Sequence, residues 1–425
     1  MALIHSTELL LLLILFLVSS KLATSHSTVR FLPGFQGPLP FQLRTGYVEV
    51  GESDAEEHAE LFYYFIESEN DPEGDPLLLW LTGGPGPLAF KNEEYTGGLP
   101  NLTLKPESWT KVSSIIFVDL PAGTGFSYPK TESDVHQSTT KLVRHAHQFL
   151  RKWLIDHPKF LSNEVYIAGD SYSGLPIPVI VQEISYGNEG GIQPWINLQG
   201  YLLGNPSTTS AEKNYEIPFN HGMAFVSDEL YESISGINTG HVLEPYCEEP
   251  GLHKPMEDTW SWRRSLAHET SPLTLPPLSC RARAYVLCTY WANDDNVHKA
   301  LHIRKGSIGK WKRCNSGIPF KFDVPSSFQY HVNLSRKGYR SLIYSGDHDM
   351  IVPFLSTQAW IRALNYSIVS DWRQWYYNGQ VVGYTRTYSN GMTFATVKGA
   401  GHTAPEYKPE ECLGMFRRWI SNRPL

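Results

Sequence analysis

Short runs of apolar residues, each followed by a glycine-containing turn, recur along the chain. The runs span residues 77–81, 115–118, 165–168, 342–345 and 394–397. Their turns span residues 83–86, 119–123, 169–174, 346–347 and 399–402. Continuous apolar runs of this length suit strands that are buried on both faces, as in a parallel sheet covered by helices. The pattern predicts an α/β fold with a mixed, mainly parallel central sheet flanked by helices.

Three other segments have the pattern of helices. Apolar residues recur at helical spacing over 142–154, and the candidate N-cap Ser138 precedes them. Residues 176–184 follow one of the glycine turns and are a second helix candidate, and 293–301 are a third. We expect these helices to cover the faces of the sheet.

The remaining pattern concerns the edge of the sheet and the division of the chain. Alternating or aromatic-rich residues at 46–50 and 61–67 predict an antiparallel hairpin on the sheet edge. Strand signals lapse over about 206–335. We interpret that stretch as an insertion or lid within a single domain that spans residues 26–425.

The N-terminus has the pattern of a secretory signal peptide. An apolar stretch over 9–18 precedes small residues, and Ala23 and Ser25 fit a cleavage site, so residues 1–25 are predicted to be removed. The apolar stretch is about half of the ~20 residues that a membrane span needs. We expect a mature chain from His26 with no membrane anchor, in the secretory pathway and then outside the cell or in a vacuole.

Export places the cysteines in an oxidising compartment, where pairs become disulfides. They number five, so at least one is unpaired: Cys247, Cys280, Cys288, Cys314 and Cys412. The same route makes three Asn-x-Ser/Thr sequons candidate glycosylation sites, at Asn101, Asn333 and Asn365.

Composition excludes some classes of protein. Hydrophobic residues make up 41% and aromatic residues 13% of the 425 residues, which is ample for a packed core and excludes wholesale disorder. The net charge is −7 and no run of Lys or Arg occurs. Nucleic acid is therefore not an expected partner.

The turn after the third apolar run has the context of a nucleophile elbow, with a strand before it and a helix after it. Such a turn needs small residues two positions before and after the serine. Ser171 has Gly169 and Ser173 there, whereas the rival Ser173 has Ser171 and Leu175. Ser171 is the better candidate, and an ordinary Gly/Ser turn is the alternative.

A serine needs a histidine to accept its proton and a carboxylate to orient that histidine. In an α/β hydrolase these follow the serine in the order Asp, His, at the ends of later strands. Asp347 and Asp349 follow one such strand, and His402 follows the last. The pattern does not choose between the two aspartates. A turn-forming pair or an Asp-x-Asp metal site is the alternative, although no neighbouring cluster supplies further ligands.

Stabilisation of an oxyanion needs two backbone N–H groups, one from the residue after the nucleophile and one from an early glycine-rich loop. Tyr172 is in position to supply the first. The turn 83–86 is the candidate for the second, because glycines allow close approach of the backbone to an acyl group. A plain turn is the alternative.

Six segments together resemble the plant serine carboxypeptidase-like family of the α/β-hydrolase superfamily. They are residues 80–86, 115–128, 169–174, 290–302, 344–353 and 399–420. The resemblance covers essentially the whole mature chain. It implies Ser171 as nucleophile, Asp349 as the residue that orients the histidine, and His402 as base. It also implies Gly84 and Tyr172 as the oxyanion donors.

The substrate-binding positions depart from the pattern of the family's hydrolases. Those enzymes usually read W-L-N-G-G-P-G-C-S and G-E-S-Y, and the Asn and Glu hold the terminal carboxylate of a peptide. This chain has Thr82, directly before Gly83, in place of the Asn, and Asp170 in place of the Glu. These substitutions resemble the branch of the family that transfers acyl groups from sugar esters to hydroxyl acceptors.

Two segments are shorter than the family pattern implies. After Gly86 the chain continues directly with Pro87, where relatives carry about a dozen residues that begin Cys-Ser and include a further carboxylate. A cysteine-containing hinge is also shortened between Ser233 and Ile237. In relatives the missing Cys bonds a Cys resembling Cys314, so the resemblance implies that Cys314 is the thiol left over.

The sequence therefore predicts a secreted serine enzyme that acts on a small-molecule ester or a peptide without metal or cofactor. Acyl transfer to a hydroxyl acceptor is slightly favoured over C-terminal peptide hydrolysis, which is the first alternative. A catalytically inactive shortened isoform that acts only as a binding protein is the second. The oligomeric state is not predicted.

Overall fold

The computed structural model describes residues 26–51, 57–81, 88–91, 93, 95–209, 219, 222–223, 241–244 and 281–425. The predicted signal peptide lies outside the described residues, as does much of the predicted insertion. The division of the chain into one domain and an insertion stays a prediction. Within the described residues, no helix is both long enough and apolar enough to cross a membrane.

A large mixed sheet forms the centre of the molecule. Its strands are β1 (His26–Val29), β2 (Leu43–Val50), β3 (Ala59–Ile66), β4 (Leu77–Trp80), β7 (Ser114–Val118), β8 (Tyr128–Pro129), β10 (Val165–Asp170), β11 (Leu198–Gly204), β13 (Arg340–Gly346), β14 (Ile368–Tyr377), β15 (Gln380–Tyr388) and β16 (Met392–Val397). Two small two-stranded sheets pair β5 (Leu88–Phe90) with β6 (Leu102–Leu104), and β9 (Gln137–Ser138) with β12 (Phe320–Lys321).

The centre of the sheet is parallel and its two edges are antiparallel. Along the sheet the strand order is β1-β2-β3-β7-β4-β10-β11-β13-β16-β15-β14, and β8 pairs with β3. All neighbours from β7 to β16 in this order run parallel. The predicted hairpin of β2 and β3 is antiparallel, and β1 pairs antiparallel with β2, so β1 and not the hairpin forms that edge of the sheet. The α/β fold and the mainly parallel centre are confirmed, because the five apolar runs are strands buried between two layers of helices.

The helices form those two layers. They are α1 (Thr139–Asp156), α2 (Pro176–Glu189), α3 (Ala282–Ala292), α4 (Asp295–Ala300), α5 (Phe328–Arg336), α6 (Phe354–Ala363), α7 (Ala404–Tyr407) and α8 (Pro409–Ile420). Alternate side chains of β4 enter different layers. Leu79 packs in the core that contains residues of α1, α2, α5 and α6. Leu78 packs in the core on the other face, with residues of α4 and α8.

The predicted helices have clear local causes. The Ser138 hydroxyl accepts a hydrogen bond from the Lys141 amide and caps α1, whose apolar stripe is buried. The Asp294 carboxylate caps α4 in the same way, accepting from the Asn296 and Val297 amides. Helix α2 begins at Pro176, a residue suited to the first turn.

Two parts of the sheet do not show in the apolar pattern. Gly200 interrupts the apolar run of β11, because a Cβ there would lie 2.0 Å from the Arg340 carbonyl oxygen of the neighbouring strand. Strand β14 is at the edge of the sheet and most of its residues are partly or fully exposed. Its sequence therefore lacks the buried pattern of a central strand.

Candidate active site

Three chemically active side chains follow the carboxyl ends of three central strands. Ser171 follows β10, Asp349 follows β13 and His402 follows β16. These strands run parallel in one sheet, so the loops after them meet at the same edge. That edge is where open α/β sheets bind their ligands.

The backbone around Ser171 is strained. Ser171 has φ 56°, which is uncommon for a residue other than glycine, and it opens one 3-10 turn, Ser171–Gly174. Gly169 must be small, because a Cβ there would lie 2.9 Å from the Cβ of Ser173. Ser173, which is buried, lies two residues after Ser171, at the position where many such turns have glycine. The turn directs Ser171 away from the strand and towards the loop of His402.

Ser171, His402 and Asp349 form a continuous chain of hydrogen bonds. His402 Nδ1 is 2.8 Å from Asp349 Oδ2, and His402 Nε2 is 2.7 Å from Ser171 Oγ. The carboxylate accepts, so Nδ1 carries the imidazole proton and Nε2 offers its lone pair to the serine hydroxyl. This tautomer is the one that can remove the serine proton.

Asp349 is fully buried and its carboxylate accepts several hydrogen bonds. Oδ1 accepts from the Ile351 amide at 2.8 Å. Besides His402, Oδ2 accepts from Asn205 Nδ2 at 2.7 Å and from the Val352 amide at 3.3 Å. A buried carboxylate needs such donors to remain stable without water. Together they fix its orientation towards the imidazole.

The structure separates the roles of the two candidate aspartates. Asp347 Oδ1 accepts from the Gly399 amide at 2.7 Å, so this side chain holds the loop that leads to His402. Burial raises the pKa of Asp347 above its usual range. The imidazole of His402 contacts Asp349 and not Asp347.

Opposing effects act on the imidazole. Burial alone lowers the pKa of His402, but the charge of Asp349 and its hydrogen bond, with smaller effects of Asp170 and Glu406, hold that pKa above its ordinary value of 6.5. The neutral imidazole needed for proton removal therefore forms only as the pH rises through this increased pKa.

The predicted oxyanion and substrate positions are only partly described. The Tyr172 amide belongs to the first turn of Ser171–Gly174, where N–H groups have no acceptor within the turn. Thr82, Gly83 and Gly84 lie outside the described residues. The Leu81 amide donates to the Ala168 carbonyl at 3.0 Å, so the chain enters that loop beside the strand that carries Ser171.

The side chains next to Ser171 are aromatic and acidic. The Tyr172 hydroxyl lies 2.7 Å from Thr139 Oγ1, and its ring packs edge-on against Phe320 and Phe322. Asp170 is the last residue of β10 and is largely buried. Its charge acts on His402, as the raised pKa of the imidazole reflects.

The remaining predicted sites lie elsewhere on the molecule. Asn101 and Asn365 are exposed, whereas Asn333 is half-buried in α5 and donates to Gln182 Oε1 at 2.9 Å. Among the described cysteines, Cys288, Cys314 and Cys412 are free thiols, and Cys314 is exposed. Cys247 and Cys280 lie outside the described residues.

One cluster of potential metal ligands occurs in the part of the chain that the structure describes: Glu57, Asp134 and His145. Its carboxylates already face cations. Lys141 Nζ lies 2.8 Å from Asp134 and 3.6 Å from Glu57, and Arg144 is hydrogen-bonded to Glu57. The two carboxylates therefore belong to an ion-pair network, whereas both ring nitrogens of the buried His145 have no hydrogen-bond partner among the described residues.

Asn205 is a site residue that the sequence patterns do not identify. It directly follows β11 and contacts Asp349 through its side chain. In sequence, an Asn-Pro pair after an apolar run indicates only a turn. To identify Asn205, one would have to know that β11 lies between the strands that precede Ser171 and Asp349.

Comparisons with known proteins agree with this fold and identify a family. The serine carboxypeptidase family model matches residues 33–422. Serine carboxypeptidase-like 7 of Arabidopsis thaliana is 52% identical, with 99% of each chain covered. Serine carboxypeptidase-like 19 of the same plant is 49% identical, with 98% of each chain covered. The alignment with the latter contains 463 positions against 425 residues in this chain, so that relative carries segments that this chain lacks.

Among solved structures, the fold is similar to that of Kex1(delta)p, a prohormone-processing carboxypeptidase from Saccharomyces cerevisiae. The TM-score is 0.71 at 19% identity, with 93% of this chain and 95% of that chain covered. At this identity the similarity establishes the α/β-hydrolase fold alone. The family match and the two plant relatives extend over nearly the whole sequence. The chain therefore belongs to the serine carboxypeptidase family, and within it to the plant serine carboxypeptidase-like proteins.

Proposed function

We propose that this protein is an acyl-transferring enzyme that forms an acyl-enzyme on Ser171. The observation that carries the proposal is the hydrogen-bonded chain from Ser171 through His402 to the buried Asp349. The strained backbone of Ser171 supports it, since such strain at a strand-to-helix turn is typical of a nucleophile.

In the first half of the reaction, Ser171 Oγ attacks the acyl carbonyl carbon while its proton passes to His402 Nε2. Asp349 stabilises the imidazolium that forms. The Tyr172 amide, with the Gly84 amide as its proposed partner, donates to the oxyanion. The carbon–oxygen or carbon–nitrogen bond to the leaving group then breaks, and His402 returns the proton to that group. One oxyanion donor typically contributes ~10²–10³-fold in kcat.

In the second half, an acceptor hydroxyl takes the place of the leaving group. His402 removes the acceptor's proton as its oxygen attacks the acyl-enzyme, and the same proton returns to Ser171 when the ester bond breaks. Water as acceptor gives hydrolysis, and an alcohol gives acyl transfer. The same three residues serve either outcome.

We favour a hydroxyl acceptor and a sugar-ester donor over a peptide. A site that selects a peptide C-terminus must replace the water lost by a buried carboxylate with hydrogen bonds, and Thr82 and Asp170 stand where the family's hydrolases use Asn and Glu. Each lost hydrogen bond to a charged group costs ~1.5–3 kcal/mol. Losing two weakens peptide recognition by roughly a hundredfold or more, whereas an uncharged acceptor does not suffer that loss.

Two other functions each have an observation in their favour. Hydrolysis of peptide C-termini is the activity named for the yeast carboxypeptidase that shares the fold. An inactive shortened isoform is favoured by the gaps in the alignment with the longer plant relative, and by the direct step from Gly86 to Pro87 in the sequence. We further propose that the chain enters the secretory pathway through residues 1–25.

A fluorophosphonate probe separates enzyme from inactive isoform, because it reacts with an activated serine whatever the natural acceptor. We expect labelling of the wild type and none of Ser171→Ala. Release of C-terminal residues from blocked dipeptides is then compared with transfer from a sugar ester, with Ser171→Ala as the blank. Rapid dipeptide cleavage without transfer would overturn the acyltransferase preference. A folded wild type that resists the probe would favour the inactive isoform.

A further inference from the structure

The segment that follows β11 connects the loops of Ser171 and Asp349. Strand β11 lies between β10, which ends at the nucleophile turn, and β13, which precedes Asp349. The Ser207 amide donates to the Ser171 carbonyl at 2.9 Å, and the Asn205 amide donates to the Tyr344 carbonyl of β13 at 2.7 Å. Residues 205–207 are thus hydrogen-bonded to both neighbours of the site.

The Asn205 side chain extends this connection to the buried carboxylate. Its Nδ2 donates to Asp349 Oδ2 at 2.7 Å, on the same oxygen that receives His402 Nδ1. Its Oδ1 accepts from the Gly346 amide at 3.1 Å, which fixes the orientation of the amide group. Asn205 is fully buried and has φ 40°, a left-handed conformation that asparagine tolerates better than most residues.

We propose that Asn205 is a positioning residue that holds the Asp349 carboxylate against His402 and limits how strongly that carboxylate attracts the imidazole proton. This inference rests on the proposed function. A hydrogen bond donated to Oδ2 disperses part of its negative charge, and it fixes the oxygen at the distance that His402 requires.

Removal of this donor should shift the pH midpoint of His402 in a defined direction. With less of its charge dispersed, Asp349 attracts the imidazolium more strongly, so the midpoint at which His402 becomes neutral moves to higher pH. The carboxylate is also less well oriented, and the maximal rate falls. If Asn205 only stabilised the fold, its removal would change neither the His402 midpoint nor the maximal rate of the folded fraction.

Two substitutions separate these effects. Asn205→Gly removes the side chain and keeps the left-handed backbone accessible. Asn205→Asp keeps the shape and an oxygen for the Gly346 amide. Once it and Asp349 are both ionised, it replaces the donor that faces Asp349 with an acceptor and a second negative charge. Asn163→Ala is the matched control, because Asn163 is also buried and donates to two backbone carbonyls, those of Pro72 and Asp75.

The rate of fluorophosphonate labelling is measured from pH 4 to 9, together with the titration of His402 by proton NMR and with thermal unfolding. We expect both Asn205 variants to label about tenfold more slowly or worse, with the His402 midpoint at higher pH than in the wild type. Asn163→Ala should lose stability only.

Unchanged rates and an unchanged midpoint in both Asn205 variants would overturn the inference. So would losses that simply follow the unfolded fraction, as expected for Asn163→Ala. The NMR midpoint does not require turnover, so it tests Asn205 even if the wild type resists the probe. In that event the proposed function fails while the positioning role is still decided.

Discussion

Replacement of Asp349 by Asn is the most informative perturbation of the site. The amide has one acceptor oxygen, whereas the carboxylate accepts from the Ile351 amide on Oδ1 and from His402, Asn205 and the Val352 amide on Oδ2. If the Asn oxygen takes the Oδ2 position, the side-chain NH2 group opposes one donor, the Ile351 amide. In the reverse orientation the NH2 group would oppose the three donors that face Oδ2. We therefore expect the first orientation, in which the imidazole keeps its tautomer.

The loss of activity then comes mainly from the missing charge. Two unit charges ~4 Å apart interact by about 4 kcal/mol at an effective dielectric constant of ~20. Loss of this stabilisation of the imidazolium corresponds to a rate lowered by ~10³-fold. The amide that faces Ile351 costs a further ~1–3 kcal/mol of the free energy of unfolding. The residual activity should extend to lower pH, because the charge that raises the pKa of His402 is gone.

The assay is the rate of fluorophosphonate labelling across pH, with Asp347→Asn as the matched control. Asp347 accepts the Gly399 amide through Oδ1, and an amide oxygen can accept that bond equally; His348 Nε2 lies 3.8 Å from the same oxygen. We expect less than about a tenfold change for Asp347→Asn. An Asp349→Asn rate within tenfold of the wild type would refute the reasoning, as would equal losses in the two variants.

Three further predictions concern pH and modification. Labelling of the wild type should fall as the pH drops, with a midpoint above 6.5, because the pKa of His402 is raised; a flat profile between pH 4 and 8 would contradict this. Burial lowers the pKa of His331 to about 3, so the stabilisation from the neutral imidazole is present above pH 6.5 and is lost as the pH falls towards 3. The free energy of unfolding should therefore decline less steeply with falling pH in His331→Gln than in the wild type. Peptide mapping of the secreted protein should find glycans at the exposed Asn101 and Asn365 but not at Asn333, which is half-buried in α5 and bonded to Gln182. Full occupancy of Asn333 would contradict this prediction.

The sequence predicts the parts of this molecule whose causes are local or periodic. Central strands such as β4 and β10 are apolar on both faces and are visible for that reason. Ser171 is identifiable because its turn demands small neighbours. Strand β11 escapes the pattern, since the requirement for Gly200 arises from the close approach of another strand.

Residues whose roles depend on tertiary contacts could not be assigned from pattern alone. Asp347 and Asp349 are two positions apart, and only the packing of the loops decides that Asp349 faces the imidazole while Asp347 binds the Gly399 amide. Asn205 is brought to Asp349 by strand order, which a single sequence does not display. The resemblance to a known family resolved the first ambiguity and did not reveal the second residue.

The central claim, an acyl-enzyme on Ser171, is tested most directly by trapping that intermediate. The protein is mixed with an activated ester, quenched in acid within milliseconds to seconds, digested and examined by mass spectrometry. We predict one acyl group on the peptide that contains Ser171, formed faster as His402 becomes neutral and absent in Ser171→Ala. The claim would be contradicted if the folded wild type carried no acyl group, or if Ser171→Ala acquired an acyl group at the same rate as the wild type.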